Sequence, residues 1–111
     1  GVMLLTPFTP TAKDERIQSF VKNFTAKHDK AYLNQFGADA YDAIYILKAA
    51  IEKANVTADM DASAICDALK VAMTQITFTG VTGTDITWGA DGEPVKKPIA
   101  VKIVNGEYVV M

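Results

Sequence analysis

Two rhythms of apolar residues run along this chain, and one gives way to the other near residue 75. The first residues break the pattern with a short continuous run, Val2-Met3-Leu4-Leu5, closed by Pro7 and Pro10. That predicts a strand over 2–8. Ile17, Phe20, Val21 and Phe24 then recur at i, i+3, i+4 and i+7, one face of a helix over 13–28. Thr11 is the expected cap, with Asp14 and Glu15 near the positive end of the helix dipole. Residues 29–37 read as a loop ending at Gly37.

A second helix is expected over 39–54, stopped by Asn55. Tyr41, Ile44, Leu47, Lys48 and Ile51 share one of its faces, and Ala43, Ile46, Ala50 and Ala54 share another. Two apolar faces predict cover on more than one side. Asp61 caps a third helix over 62–74, carrying Ile65, Leu69, Ala72 and Met73. Beyond it, residues 76–92 are rich in threonine and glycine, and Asp91-Gly92 signals a turn. Residues 99–104 alternate, and Asn105-Gly106 separates them from 107–111. Asn-Gly between two β-rich runs predicts a tight hairpin, because both turn residues need positive φ. A two-residue turn pairs Ile103 with Tyr108 and Val101 with Val110. The order is strand, three helices, then strands, an α/β arrangement. Both ends fall inside apolar runs, whereas domain ends are commonly polar and frayed, so a piece of a longer polypeptide is expected.

Composition narrows the function. Half of the 111 residues are hydrophobic and 22% are charged, which predicts a packed core. The net charge is −2 and Arg16 is the single arginine, so the basic stripe that nucleic-acid binding requires is missing. Cys66 is the only cysteine, which rules out an internal disulfide and a multi-cysteine zinc site. Its place beside Ile65 predicts a buried structural thiol. His28 is the only histidine and is expected at the surface, near a helix C-terminus. Asp59, Asp61, Asp85 and Asp91 lack the register of a calcium loop and read as caps and turns. Gly80-Val81-Thr82-Gly83 has no Lys-Ser/Thr after it, so it does not read as a phosphate loop. The sequons at Asn23 and Asn55 are short and common, and Asn23 lies within a helix. No catalytic constellation emerges, and neither a cofactor nor a metal is expected.

Among the aromatics, Phe20, Phe24, Tyr41 and Tyr45 stand at helical spacing and read as core. Phe36 precedes Gly37 just ahead of a helix, where an aromatic ring either packs inward or faces a small ligand. Spacing alone favours the packed position.

Longer stretches resemble a family. Phe36-Gly37-Ala38-Asp39-Ala40-Tyr41-Asp42-Ala43, followed by Leu47-Lys48-Ala49-Ala50-Ile51-Glu52-Lys53-Ala54, is similar to a late helix of the branched-chain amino-acid ABC transporter substrate-binding proteins, the type 1 periplasmic binding proteins. Ile65-Cys66-Asp67-Ala68-Leu69-Lys70 resembles their next helix. Phe78-Thr79-Gly80-Val81-Thr82-Gly83, then Ile86-Thr87-Trp88, Asp91-Gly92-Glu93-Pro94 and Lys97-Pro98, resembles their tail. The segment around Asp85 is one residue longer than the usual pattern, and Trp88 stands where phenylalanine is commoner.

The resemblance covers the whole chain but only about the last third of a family member. It implies two α/β lobes joined by three hinge strands, with a ligand in the cleft between them. Residues 2–7 and 98–104 then match the second and third hinge crossings. Residues 1–97 supply first-lobe helices and strands, and 98–111 the last crossing and a terminal hairpin. One position carries over: Phe36 matches an aromatic residue that lies against the ligand side chain. The implied function is extracytoplasmic capture of a branched-chain or related amino acid, without catalysis, for delivery to an ABC permease. The resemblance also admits a ligand-sensing ectodomain of the same fold, and the residues alone admit a small independent α+β interaction module. Cut strands predict self-association through a strand-swapped dimer.

Overall fold

A computed structural model describes residues 1–111. The order is β1 (Met3–Thr6), α1 (Glu15–Thr25), a 3-10 turn (Lys30–Tyr32), α2 (Gln35–Ala54), α3 (Ala62–Met73), β2 (Thr87–Trp88), β3 (Pro94–Val95), β4 (Ile99–Val104) and β5 (Glu107–Val110). This is the expected α/β order of a strand, three helices and then strands.

The first strand and the terminal hairpin form one antiparallel sheet, β1-β4-β5. Asn105 and Gly106 both adopt positive φ, 52° and 84°, as a two-residue turn requires. The register pairs Ile103 with Tyr108 and Val101 with Val110, as the turn dictates. Strand β1 takes the other side of β4, with Leu4 opposite Val101 and Thr6 opposite Ile99. β1 and the hairpin are each other's neighbours, and the outer edges of β1 and β5 stay open.

Phe20 is the pivot of the core. Its ring meets Phe8 edge-on at 5.7 Å, Phe24 at 5.9 Å and Tyr41 at 4.8 Å. Such pairs add roughly 0.5–1.5 kcal/mol each beyond the area they bury. Phe8, Ala12, Ile17, Phe20, Ala38 and Val81 make one buried cluster, so β1's exit, α1, α2 and the 80–83 loop meet there.

Helix α1 starts later than expected. Asp14 is its cap and accepts the Arg16 backbone N–H at 2.9 Å, while Thr11 instead donates its hydroxyl to the Tyr108 carbonyl at 2.6 Å. Thr11 is thereby spent on tying the α1 approach to β5. Helix α2 starts earlier than expected. Asn34 caps it by accepting the Gly37 N–H at 3.0 Å, so Gly37 is the third helical residue rather than the end of a loop. The loop expected over 29–37 therefore holds a 3-10 turn and the first turn of α2. At the far end, Asn55 takes the left-handed conformation with φ 51°, and the Val56 N–H reaches back to the Ile51 carbonyl.

The two apolar faces of α2 have different fates. Ala38, Asp42 and Ala50 are buried, whereas Tyr41, Ile44, Leu47 and Ile51 are exposed. Tyr41 and Tyr45, expected in the core, lie at its margin with their rings 5.0 Å apart. Helix α3 turns Ala72 inward, with Ile65, Leu69 and Met73 half-buried beside it. Cys66 is exposed, which corrects the buried thiol, because it stands about 100° around α3 from Ile65.

The molecule measures 53 × 31 × 20 Å with a radius of gyration of 16.4 Å, against about 13 Å for a compact chain of this length. Elongation leaves apolar faces open. No helix is long and apolar enough to cross a membrane.

Candidate functional site

The start of α2 is fixed from three directions. Asn34 caps it from below. From β1, Thr6 donates its hydroxyl to Gln35 Oε1 at 3.2 Å and to the Phe8 carbonyl at 2.9 Å. From the segment before β4, Lys96 Nζ donates to Asp39 Oδ1 at 3.1 Å. The first turn of α2 is thus tied to two strands of the three-stranded sheet, or to their approaches.

Phe36 sits in that fixed turn with three-quarters of its surface open, at 75% exposure. It belongs to a helix rather than to a loop, and it is not a core residue. Tyr32, in the 3-10 turn just before, is 72% exposed. Both side chains are thus open to solvent on hydrogen-bonded backbone near the start of α2. A rigid backbone with an open ring suits contact with an apolar ligand group, because little conformational freedom is left to lose on binding.

Asp42 is the residue that sequence reasoning passed over. It lies two turns into α2 and is 1% exposed. Its Oδ1 accepts the Val81 N–H at 3.0 Å. Its Oδ2 accepts the Thr82 N–H at 2.8 Å and the Thr82 hydroxyl at 2.7 Å. The Gly80-Val81-Thr82-Gly83 segment therefore does cradle an anion through backbone N–H groups, and the anion is the protein's own carboxylate. A β-carbon at Gly80 would overlap that carboxylate. The only sequence signal was an acidic residue in the middle of the buried Ala38–Ala50 face.

The 80–83 loop is closed behind this contact. Phe78 and Ile86 exchange backbone hydrogen bonds at 2.9 and 2.7 Å, and the Gly80 N–H bonds the Gly83 carbonyl. Asp85 takes a left-handed φ of 51°, its N–H held by Thr79 Oγ1 at 3.0 Å. Asp85 is the single left-handed position in this segment, and Ile86 pairs with Phe78.

The remaining singled-out residues do local work. Asp61 caps α3 through the Ala64 N–H, and Asp91 Oδ1 accepts the Glu93 N–H in the turn before β3. His28 is exposed and lies 5.0 Å from the Phe24 ring. The Arg16 side-chain hydrogen bond holds the Asp14 carboxyl at a pKa of about 2, assisted by the Arg16 backbone N–H and charge. Tyr41 is raised above its usual value by its hydrogen bond to Tyr45 and by partial burial.

A concavity of about 740 Å³ lies between the α1 approach, the 80–84 loop and β5, with Ile17, Val81, Tyr108 and Val110 in its walls. A second, of about 460 Å³, runs between α1 and α2 over Phe20, Tyr41 and Tyr45. Phe36 lines neither.

Several solved structures share the fold. An ABC transporter substrate-binding protein from Desulfitobacterium hafniense, in complex with leucine, is 21% identical with a TM-score of 0.78; the match covers 100% of this chain and 31% of that one. A Rhodospirillum rubrum protein assigned to branched-chain amino acid ABC transport is 26% identical with a TM-score of 0.73, covering 100% of this chain and 30% of that one. An extracellular ligand-binding receptor from Rhodopseudomonas palustris is 18% identical with a TM-score of 0.75, covering 98% and 33%. The chain thus spans about a third of the length of the structures it resembles. No curated protein matches it. The family model described as periplasmic binding protein matches residues 1–107, nearly the full length, and the chain belongs to that family.

Proposed function

We propose that this chain is part of the extracytoplasmic solute-binding component of an ABC importer, with Phe36 forming one wall of the ligand cleft. The observation that carries the reading is Phe36 itself: an open aromatic ring on the anchored first turn of α2. Membership of the periplasmic binding protein family supports the transport role, and the leucine complex of a structural relative supports an aliphatic amino acid as ligand. Residues 1–97 belong to one lobe in this reading. Strands β1 and β4 are hinge crossings, and 98–111 carries the last crossing and its hairpin. The chemistry is binding alone. Two lobes close on the amino acid, the aliphatic side chain is removed from water against Phe36, and the closed form is what a permease recognises.

Calorimetry of the full-length polypeptide with leucine, isoleucine and valine tests this. At least one should bind, and Phe36→Ala should weaken binding about tenfold or more, equivalent to about 1.4 kcal/mol, with little change in melting temperature. A buried phenylalanine would instead lose about 3–5 kcal/mol of stability on truncation. Unchanged affinity together with a large stability loss would return Phe36 to a structural role.

A further inference from the structure

We propose that Lys96 is a positioning residue that makes the ligand-facing start of α2 follow the hinge strand β4. The proposal rests on the reading of Phe36 as a cleft residue, and its physical basis is a chain of three hydrogen bonds. Lys96 Nζ donates to Asp39 Oδ1 at 3.1 Å and to Thr82 Oγ1 at 3.3 Å. Thr82 Oγ1 donates in turn to Asp42 Oδ2 at 2.7 Å. One ammonium therefore bridges the free carboxylate of Asp39 and the hydroxyl already committed to the buried carboxylate of Asp42. Each donor in such a run polarises the next. The Lys96 side chain is 25% exposed and Asp39 39%, so the pair is less open to water than an ordinary surface pair such as Lys48–Glu52, at 63% and 64%.

Position gives the contact its meaning. Lys96 follows β3 directly and is separated from Ile99, the first residue of β4, by Lys97 and Pro98. Pro98 has a fixed φ, which stiffens that short link. On the other side of the bridge, Asp39 lies three residues after Phe36, on the same side of α2. A displacement of β4 is therefore passed through Lys96 to Asp39, and from there to the ring. The Asp42 clip alone cannot do this, because it joins α2 to the 80–83 loop and not to the strand. Breaking the Lys96 contact should leave the fold standing on that clip while uncoupling the first turn of α2 from β4, with the Thr6–Gln35 bond still holding it to β1.

The test uses Lys96→Met, which keeps the apolar stem, and Lys96→Arg, which keeps the charge, in the full-length polypeptide. Hydrogen exchange at the amides of Ala38 to Asp42 should speed up about two- to fivefold in Lys96→Met and return toward wild type in Lys96→Arg, while the melting temperature barely moves. Leucine affinity should fall by a similar factor, with the same rescue. The double variant Lys96→Met/Asp39→Asn should behave like Lys96→Met alone. Unchanged exchange at those amides overturns the proposal regardless of ligand. Faster exchange in Lys96→Met, in a protein whose wild type binds none of leucine, isoleucine and valine, would uphold the mechanical tie and overturn the amino-acid reading beneath it.

Discussion

Thr82 gives Asp42 two hydrogen bonds at once, its backbone N–H at 2.8 Å and its hydroxyl at 2.7 Å, both to Oδ2. With the Val81 N–H on Oδ1, a carboxylate inside the protein has three donors. A buried charge persists when donors replace its water, and here they come mostly from backbone that cannot turn away. The clip joins residues 39 and 40 positions apart, so it fixes α2 against the loop that leads back to the sheet.

Asp42→Ala should therefore destabilise the protein by about 2–5 kcal/mol, because it leaves two buried N–H groups and a hydroxyl without partners. Asp42→Asn should lose less, since one side-chain oxygen still accepts. Urea unfolding followed by circular dichroism measures both. A loss under about 0.5 kcal/mol for Asp42→Ala, typical of an ordinary surface site, would show that water replaces the clip.

Gly80→Ala should destabilise for a different reason. The new methyl would collide with the Asp42 carboxylate, so either the loop or α2 must shift. Removing the carboxylate removes the collision. The double variant Gly80→Ala/Asp42→Ala should thus be less destabilised than the sum of the single variants, with a coupling of about 1–2 kcal/mol. Strict additivity in the same unfolding assay would mean that the two sites do not touch.

How much of this was legible depended on sequence distance. The hairpin register was readable because Asn105-Gly106 sets it locally and no distant partner is needed. The starts of α1 and α2 were misjudged by a few residues, since Thr11 and Asp14 both suit a cap and only the pull of the Tyr108 carbonyl on Thr11 decides between them. Gly37 looked like a terminator, but Asn34 three residues earlier captures its N–H. Cys66 was read as buried from its neighbour Ile65, whereas α3 is covered on one side only. Asp42 carried no local sign of its partners. Spacing alone favoured a packed Phe36, whereas tertiary placement leaves its ring exposed.

Asp14 links stability to pH. Its carboxyl, held near 2 by Arg16, titrates near 3.8 when free. A group depressed on folding stabilises fully above its unfolded value, and that contribution fades as pH falls from about 3.8 through about 2. Its side chain is 40% exposed, so water and salt screen the pair. Asp14→Ala should lower stability at neutral pH by about 0.5–2 kcal/mol, mostly through the lost cap. The gap between variant and wild type should narrow at pH 2. A gap that stays constant from pH 7 to pH 2 would assign the effect to helix propensity instead of to the charged cap.

The outer face of the β1-β4-β5 sheet leads to the last expectation. Alternation along the strands turns Leu4, Val101 and Ile103 inward, and turns Met3, Leu5, Ala100, Val104 and Val109 outward. Leu5 is 69% exposed and Met111, opposite Ala100, is 70% exposed. Lys102, between Met3 and Val109, and Glu107, opposite Val104, are the charges on this otherwise apolar face, and with two open edges it is a surface that other chains can cover. The 111-residue chain should therefore self-associate as its concentration rises, by face-to-face contact or by exchange of the hairpin about residues 96–98. Leu5→Lys and Val109→Glu each place a charge on that face without touching the turn or the inner register. Either substitution should shift association to higher concentration by tenfold or more in analytical ultracentrifugation. Exchange of the hairpin would instead be blocked by locking β1 to β4 with a Leu4→Cys/Val101→Cys disulfide, because those residues lie directly opposite each other. A chain that stays monomeric up to millimolar concentration would show that its own side chains protect the sheet, and would favour an independently stable module.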